Sequence, residues 1–352
     1  MNVLMQKTKA IILVGNRDFG RCPIASRLPT ALWPVAGKTV IERLLCNLAD
    51  QGIKQVVICG RDASSLTGIK NLIGDRLALS FFDESLPVGT AGCIREALRD
   101  KAEELLIVFP VGIVNPPEID MLIKAHSDGQ SDLTVMLNPC YQDCRDLKEA
   151  SEIYVCNPDI IKHIPEEGYF DIKEGLIPKM LHDGKTVCAA TLPHHAGNFR
   201  NRQEYLNSVF SLLENSPKLD MDMEPVKSSG SGNVWVAEDA IVDPKARING
   251  SVVIMDGASV SSGAVVLGPA VIGKNVTINK DSVVINSVLW DEAKVGSNCQ
   301  ICKCLVDYHG VVRDNTVLEE ESVSFKPAGM FEHKLNFISM FMKNSVKRLQ
   351  SL

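Results

Sequence analysis

Residues 236–266 read VAEDAIVDPKARINGSVVIMDGASVSSGAVV, and this stretch decides the fold of the second half of the chain. Val236, Val242, Ile248, Ile254, Val260 and Val266 stand six apart, and Ile272, Ile278 and Val284 continue the count. Four positions after each comes a small residue or a valine: Ala240, Ala246, Val252, Ala258, Ala264, Ala270, Val276, Ser282 and Val288. A generic β-domain does not hold one integer period over so many units. A six-residue period specifies a parallel β-helix, with three short flat strands per triangular coil and the branched residue pointing inward. Burying each Val or Ile contributes roughly 1.5–3 kcal/mol gross, so the stack rather than any one rung makes the core. The phase then slips. Val295 and Ile301 keep the spacing of six, while Val306, Val312 and Leu318 resume it one residue out. The repeats over 234–323 imply about four to five coils.

Upstream of the repeats the chain changes character. Residues 217–233 contain Pro217 and Pro225 and end in Ser228-Ser-Gly-Ser-Gly-Asn233, the composition of a linker. Before it, short apolar runs alternate with helical patterns. Ala10–Val14, Gln55–Cys59, Leu105–Phe109, Leu133–Leu137, Ile153–Cys156 and Thr186–Thr191 read as strands buried on both faces. Between them, Val40, Ile41, Leu44, Leu45 and Leu48 recur at helical spacing in 39–51. Ile119, Leu122 and Ile123 do so behind Pro116 and Pro117. Alternating strand and helix predicts an α/β domain over 8–216, its mostly parallel sheet covered on both faces.

The 352 residues suit two domains at roughly 150 residues each. Hydrophobic residues at 45% and charged residues at 23% describe a globular chain, and a net charge of −6 gives no footprint for nucleic acid. No apolar run approaches the roughly 20 residues of a membrane helix, and the first residues carry no secretory pattern. Eleven cysteines without framework spacing read as reduced thiols, so the expected compartment is the cytoplasm.

The segment KAIILVGNRDFGRCPIASRLPTALWPVAGK, residues 9–38, resembles the opening signature of the sugar-1-phosphate nucleotidylyltransferases. That family has a strand, a Gly-rich loop and a Pro-Lys-Pro-Leu-x-Pro-Val-x-Gly-Lys run. The likeness is carried by Gly15, Pro23, Pro29, Leu32, Pro34, Val35, Gly37 and Lys38. Leu86-Pro-Val-Gly-Thr-Ala-Gly92 resembles the family's base-recognising loop, and Glu152-Ile-Tyr-Val-Cys-Asn-Pro158 the strand after its sugar-contacting loop. Residues 171–181 and 201–213 are similar to its closing helices, and the hexads to the β-helix many members carry. The resemblance implies a Rossmann-like nucleotidyltransferase domain joined to a left-handed parallel β-helix. It also implies a nucleotide site at Gly15, Glu84, Gly89, Thr90 and Ala91. In that reading a bulky residue at Gly89 fills the base slot and leaves the fold intact.

The departures from the family bear on chemistry. Nucleotidyl transfer needs cations and metal where charge builds on the phosphates. The second glycine of the loop is Asn16, Asp18 adds a negative charge, and the family's arginine falls on Gly20, with Arg17 and Arg21 nearby. The family's phosphate-binding lysine aligns with Thr30, whose hydroxyl does not replace an ammonium. The metal-binding Gly-Asp aligns with Pro110-Val111 and the second metal Asp with Asn198. Only fourteen residues separate Leu137 from Glu152, where the family has a longer sugar-gripping excursion. These losses imply a catalytically impaired chain: a regulatory or scaffold subunit that binds a nucleotide or sugar nucleotide and holds no metal of its own. The alternative is an active NDP-sugar pyrophosphorylase in which Arg17, Arg21 and Lys38 take over the charge work and Mg²⁺ enters with the nucleotide. A third reading, a β-helix acyltransferase, needs a coil-face histidine, and His309 sits where the repeat breaks.

Other candidates read as structure. Asp83 and Glu84 precede the Gly-Thr-Ala loop, where a base or ribose contact competes with a solvated loop face. Cys299-x2-Cys302-x-Cys304 has zinc-like spacing, yet Cys299 occupies a small inward position of the coil. His194 and His195 form an isolated pair, and Trp33 and Trp290 read as packing residues. In 324–352, Phe331, Leu335, Ile338, Phe341, Met342, Val346 and Leu349 form one helical stripe with Lys334, Lys343, Lys347 and Arg348 interleaved. Such a helix docks on its own protein, a partner groove or a membrane surface. The flat, charge-poor coils predict a homo-oligomer held by the β-helix, a trimer or dimer of trimers with a dimer as the alternative.

Overall fold

The structure, a computed structural model, describes residues 8–15, 22–61, 63–98, 105–139, 150–215, 223, 225–227 and 232–325. The amphipathic tail, Arg17 and Arg21 lie outside these residues. The described chain divides into two compact units, 8–15 with 40–198 and 22–39 with 199–325.

The first unit is built on a seven-stranded sheet. Its strands are β1 (Thr8–Val14), β2 (Gln55–Gly60), β3 (Ala78–Asp83), β4 (Leu105–Pro110), β5 (Leu133–Leu137), β6 (Ala150–Cys156) and β7 (Val187–Thr191). They lie in the order β3-β2-β1-β4-β6-β5-β7. Every neighbouring pair is parallel except those of β6, which runs against both β4 and β5. The carboxyl ends of the other six strands therefore share one edge with the start of β6. Ala10, Ile11 and Ile12 are fully buried, as a central parallel strand requires. The six sequence-legible runs all form strands, and β3 is the additional one. Its half-exposed, mixed ALSFFD sequence at the sheet margin carries neither a continuous apolar run nor a clean alternation.

Helix α1 (Val40–Asp50) buries the five apolar residues read from its period. Helix α2 (Gly89–Ala97) follows β3, and α3 (Ile119–Asp128) follows β4. The first backbone N–H of α3, at Ile119, donates to the Gln51 side chain at 2.6 Å, so the residue just after α1 helps cap α3. His126 of α3 is buried, its Nδ1 2.8 Å from the Thr134 hydroxyl and its Nε2 3.2 Å from Asn157 Oδ1. A neutral ring donating from Nε2 and accepting at Nδ1 satisfies both nitrogens. Burial lowers its pKa below 6.5 despite the Asn157 hydrogen bond and the nearby Asp132.

In the second unit the hexads form three parallel sheets of stacked short strands. Val236, Ile254 and Ile272 occupy one register column, Val242, Val260 and Ile278 the next, and Ile248, Val266 and Val284 the third. Each successive residue in a column is one coil on, and the two columns that begin at Val242 and Ile248 each hold five strands. The slip in the sequence has a structural cause. Ile272 pairs with Leu289, so this coil is 17 residues long and not 18. The corner after Val284 is shorter by one residue and turns through Asn286 at φ 45°. Lys303 and Glu320 make the same corner in the next two coils, at φ 51° and 53°. Val288, expected to point inward, consequently joins the outward column of Val253 and Val271, while Leu289 takes the interior place and Ser287 the small corner position. Cys299 and Cys304 are interior residues of the coil, packed among the aliphatic side chains.

Residues 22–39 and helix α4 (Arg202–Asn215) group with the coils. Trp33, Phe199, Tyr205, Trp290 and Tyr308 form one aromatic cluster, with neighbouring centroids between 5.0 and 6.3 Å. Trp290 Nε1 donates to the Tyr205 hydroxyl at 3.0 Å, and that hydroxyl donates to the Pro34 carbonyl. Arg27 pairs with Asp307, whose side chain is fully buried and also accepts from the Tyr308 and Phe325 backbone. Burial raises the Asp307 pKa, and the Arg27 charge opposes that rise. The two tryptophans are packing residues, as expected from the sequence. Among the described residues no helix is long and apolar enough to cross a membrane.

Candidate functional site

The strand order reverses between β1 and β4. From β1 the chain moves to β2 and β3 on one side, then returns to β4 on the other. In open α/β sheets the crevice beyond the carboxyl ends at such a point is where ligands bind. Gly15 directly follows β1, and a Cβ added there would meet no described residue within 4 Å. Across from it, Val111 follows β4, is 1% exposed and donates its N–H to Leu13 at 3.1 Å. Among the described residues, the β1 side of the crevice thus presents a glycine and the β4 side an apolar side chain.

Glu84, Gly89, Thr90 and Ala91 do come together, at the start of α2, and their polar groups meet other parts of the chain. Glu84 accepts from the Val88 N–H at 2.6 Å. The Ala91 and Gly92 N–H groups both donate to the Phe170 carbonyl, at 3.0 and 3.1 Å, and the Phe170 N–H donates to Val88 at 2.8 Å. Thr90 donates to Asp171 at 2.7 Å and accepts from the Ile172 N–H at 2.9 Å. Segment 170–172 therefore accepts from the Thr90, Ala91 and Gly92 amides in the first turn of α2. Burial opposes ionisation of Asp171, but the Thr90 and Tyr169 hydrogen bonds outweigh it and hold the carboxyl below its ordinary range. The same Asp171 hydrogen bond, with some burial, pushes Tyr169 up to about 12.

Gly89 has φ +78°, and a Cβ there would lie 2.5 Å from the Phe170 carbonyl oxygen. The glycine is required by this close backbone approach. The expectation that a larger residue leaves the fold intact is overturned for that reason.

A polar group stands at the start of β6. Glu152 lies where β5 and β6 slip in register, with a left-handed φ of 62° unusual for a residue with a side chain. Lys173 donates to Glu152 Oε1 at 2.9 Å, and Asn198 Nδ2 donates to Glu152 Oε2 at 3.0 Å and to the Ser151 carbonyl at 3.2 Å. Asn198 is 8% exposed and its Oδ1 is buried without a hydrogen-bond partner. Sequence reasoning reached Glu152 and Asn198 only through resemblance and missed Lys173 and Asp171. No periodicity or spacing marks those two.

The donor set does not fit a resident Mg²⁺, which takes hard oxygen donors including one or two carboxylates. Val111 offers only an alkyl side chain, Asn198 a neutral amide, and Glu152 is engaged by Lys173 and Asn198. Among the described residues no group of three or more His, Cys, Asp or Glu is arranged to hold a metal. Lys38 belongs to the other unit, in a small hairpin where residues 38–39 pair with 34–35. His309 pairs with Glu292 at 3.0 Å and packs on Phe325. His195 Nδ1 accepts from the Gly197 N–H at 3.0 Å.

Comparison with known proteins adds to this geometry. The family model for the GlmU-like C-terminal hexapeptide matches residues 240–324. Mannose-1-phosphate guanylyltransferase of Mycobacterium tuberculosis is 21% identical over 318 residues, covering 83% of this chain and 82% of that protein. UTP–glucose-1-phosphate uridylyltransferase of Synechocystis is 21% identical over 342 residues, 85% of this chain and 87% of the relative. Bifunctional protein GlmU of Staphylococcus carnosus is 33% identical over 137 residues, which is 38% of this chain and 28% of GlmU.

Proposed function

We propose that this chain, a member of the sugar-1-phosphate nucleotidylyltransferase family by its two-part likeness, binds a nucleotide or sugar nucleotide without turning it over, as a regulatory or scaffold subunit. The observation that carries the reading is the pair Val111 and Asn198 at the carboxyl edge of the sheet. One is buried and apolar, the other a neutral amide bonded to Glu152. Phosphoryl chemistry depends on charges preorganised where negative charge develops, and losing one such group costs roughly 10²–10³ in rate. Several losses together need not multiply, but each acts in the same direction.

What remains suits binding. Gly15, with no side chain of its own, suits a close ligand approach to the backbone at the switch point. Lys173 supplies a cation, and the Asn198 Oδ1 is an acceptor that a sugar or ribose hydroxyl would satisfy. The base and the sugar are to be read from a thermal-shift screen of nucleoside triphosphates and sugar nucleotides, each with and without Mg²⁺. A native-state ligand raises the midpoint by mass action. The expected result is a shift for one ligand class, independent of Mg²⁺, with no pyrophosphate released from any triphosphate and sugar phosphate pair. Turnover near ~1 s⁻¹, the low end of ordinary enzymes, sinks the impaired reading and installs the active pyrophosphorylase. No shift for any ligand leaves a scaffold only. The coils are the proposed site of self-association, in a cytoplasmic protein.

A further inference from the structure

Strand β3 is the outermost of the seven-stranded sheet and pairs with β2 alone among the described strands. The Ala78 and Glu84 N–H groups turn inward, donating to the Lys54 and Gly60 carbonyls at 2.8 and 3.1 Å. By the alternation of a strand, Leu79, Phe81 and Asp83 turn their backbone groups away from β2, to the margin of the sheet. Ala78, Ser80 and Asp83 are exposed, and Leu79, Phe81 and Phe82 are half-buried. Edge strands are ordinarily guarded by charges, proline or a bulge. Residues 77–82, LALSFF, contain no charge and no proline, and their register with β2 is unbroken. The charges stand outside this run and differ in sign, with Arg76 before it and Asp83 and Glu84 after it.

We propose that this edge pairs antiparallel with the same edge of a second copy, about a two-fold axis normal to the sheet at the level of Ser80, so that two sheets become one. The contact belongs to the first unit and depends neither on the coils nor on a bound ligand. Charge placement decides the register. Backbone groups that face outward must meet their like, so the axis falls at residue 79, 80, 81 or 82. At Ser80, Leu79 of one copy faces Phe81 of the other, Ala78 faces Phe82, Leu77 faces Asp83 and Arg76 faces Glu84, and symmetry repeats each pairing. At Leu79 the axis would set Asp75 against Asp83. At Phe81 or Phe82 Arg76 faces no carboxylate. A parallel pairing in register sets Arg76 against Arg76 and Asp83 against Asp83. Opposite charges facing across strands stabilise a pair and like charges oppose it, so the antiparallel register at Ser80 is favoured.

Arg76 already forms an exposed pair with Asp50, and its planar fork has donors for a second carboxylate. Glu84 uses Oε1 for the Val88 N–H, which leaves Oε2 for that contact. A single strand pair is a small contact beside the ~800 Å² per partner of a standard interface, so the association depends on concentration in the micromolar range.

Sedimentation velocity of the full chain across that range tests the pairing. Ser80 is exposed and faces its own copy across the axis, so Ser80→Lys or Ser80→Glu sets two like charges directly opposite each other. Each variant alone should weaken association about fivefold, with circular dichroism and melting temperature unchanged, and an equal mixture of the two should restore it. Leu79→Pro removes an outward N–H that the ladder to β2 does not use, and should weaken association about tenfold or more while the sheet persists. A wild-type chain that stays monomeric overturns the proposal. So does an assembly indifferent to all three variants, which would be held by the coils or another surface. Weakening in both Ser80 variants without recovery in the mixture overturns the register, because the two Ser80 residues then do not face each other.

Discussion

Gly89→Ala separates a structural glycine from a ligand-binding one, and the molecule supplies its own controls. Three terms act against alanine. At φ +78° an L-residue sits in the left-handed region, which costs roughly 1–2 kcal/mol. The new Cβ would lie 2.5, 2.7 and 2.9 Å from the carbonyl oxygen, carbonyl carbon and nitrogen of Phe170, and backbone cannot swing aside as a side-chain tip can. Relief by separation strains the hydrogen bonds from Ala91 and Gly92 to Phe170 and from Phe170 to Val88, each worth about 0.5–1.5 kcal/mol net. A total loss of about 3–5 kcal/mol follows. Gly74→Ala measures an unfavourable backbone without a clash, since φ is +59° with ψ −146°, a region kept to glycine, and an added Cβ meets no described residue within 4 Å. It should cost about 1–3 kcal/mol, less than Gly89→Ala. Gly15→Ala carries neither burden and should stay within about 0.5 kcal/mol. Urea unfolding followed by a first-unit probe gives the ranking, because the two compact units need not unfold together. Gly89→Ala as stable as Gly15→Ala would falsify the argument. If the same variant lost nucleotide binding while keeping full stability, the base-slot reading of this glycine would be restored.

Tyr205→Phe leaves the Trp290 N–H and the Pro34 carbonyl without the hydroxyl that joins them, and should cost about 1–3 kcal/mol in second-unit unfolding; no change would mean that water replaces the hydroxyl. His126 is held neutral by burial, so the unfolded chain takes up more protons as pH drops below 6.5, and stability should fall through that window and down to the lowered folded value. Comparing unfolding at pH 7.5 and 5.5 checks this against His126→Gln, in which the slope should flatten; an equal slope in both proteins rejects it. Asn198→Asp sets a second carboxylate beside Glu152, replacing the donor that lies 3.0 Å from Oε2. At neutral pH it should lower stability by about 1–3 kcal/mol, with recovery on acidification or on adding Mg²⁺. Indifference to both pH and Mg²⁺ would show that the two side chains part.

What could be read from the sequence was what repeats or what is buried by type. The hexads fixed the coil because every sixth branched residue must face the same interior, and a parallel strand such as Ala10–Val14 announces itself by being apolar throughout. The slip at Val288 was visible as a phase change. Its cause was not, because a one-residue deletion at a corner looks the same from the sequence whichever corner loses it. Only the pairing of Ile272 with Leu289 shows that the corner after Val284 shortened and that Val288 turned outward. The site shows the same limit more sharply. Glycine was legible as a need for space or a special φ, but the sequence did not distinguish space for a ligand from space for a neighbouring backbone. At Gly15 no described residue comes within 4 Å of an added Cβ, and at Gly89 the Phe170 carbonyl fills that space. Lys173 and Asp171 were illegible for a related reason. Their significance is a distance to Glu152 and to Thr90, partners 21 and 81 positions away. Such contacts follow from the sheet order, in which β6 runs backward and brings its first residues to the edge where the parallel strands end. A charged residue acquires a role there only after the topology has chosen its neighbours.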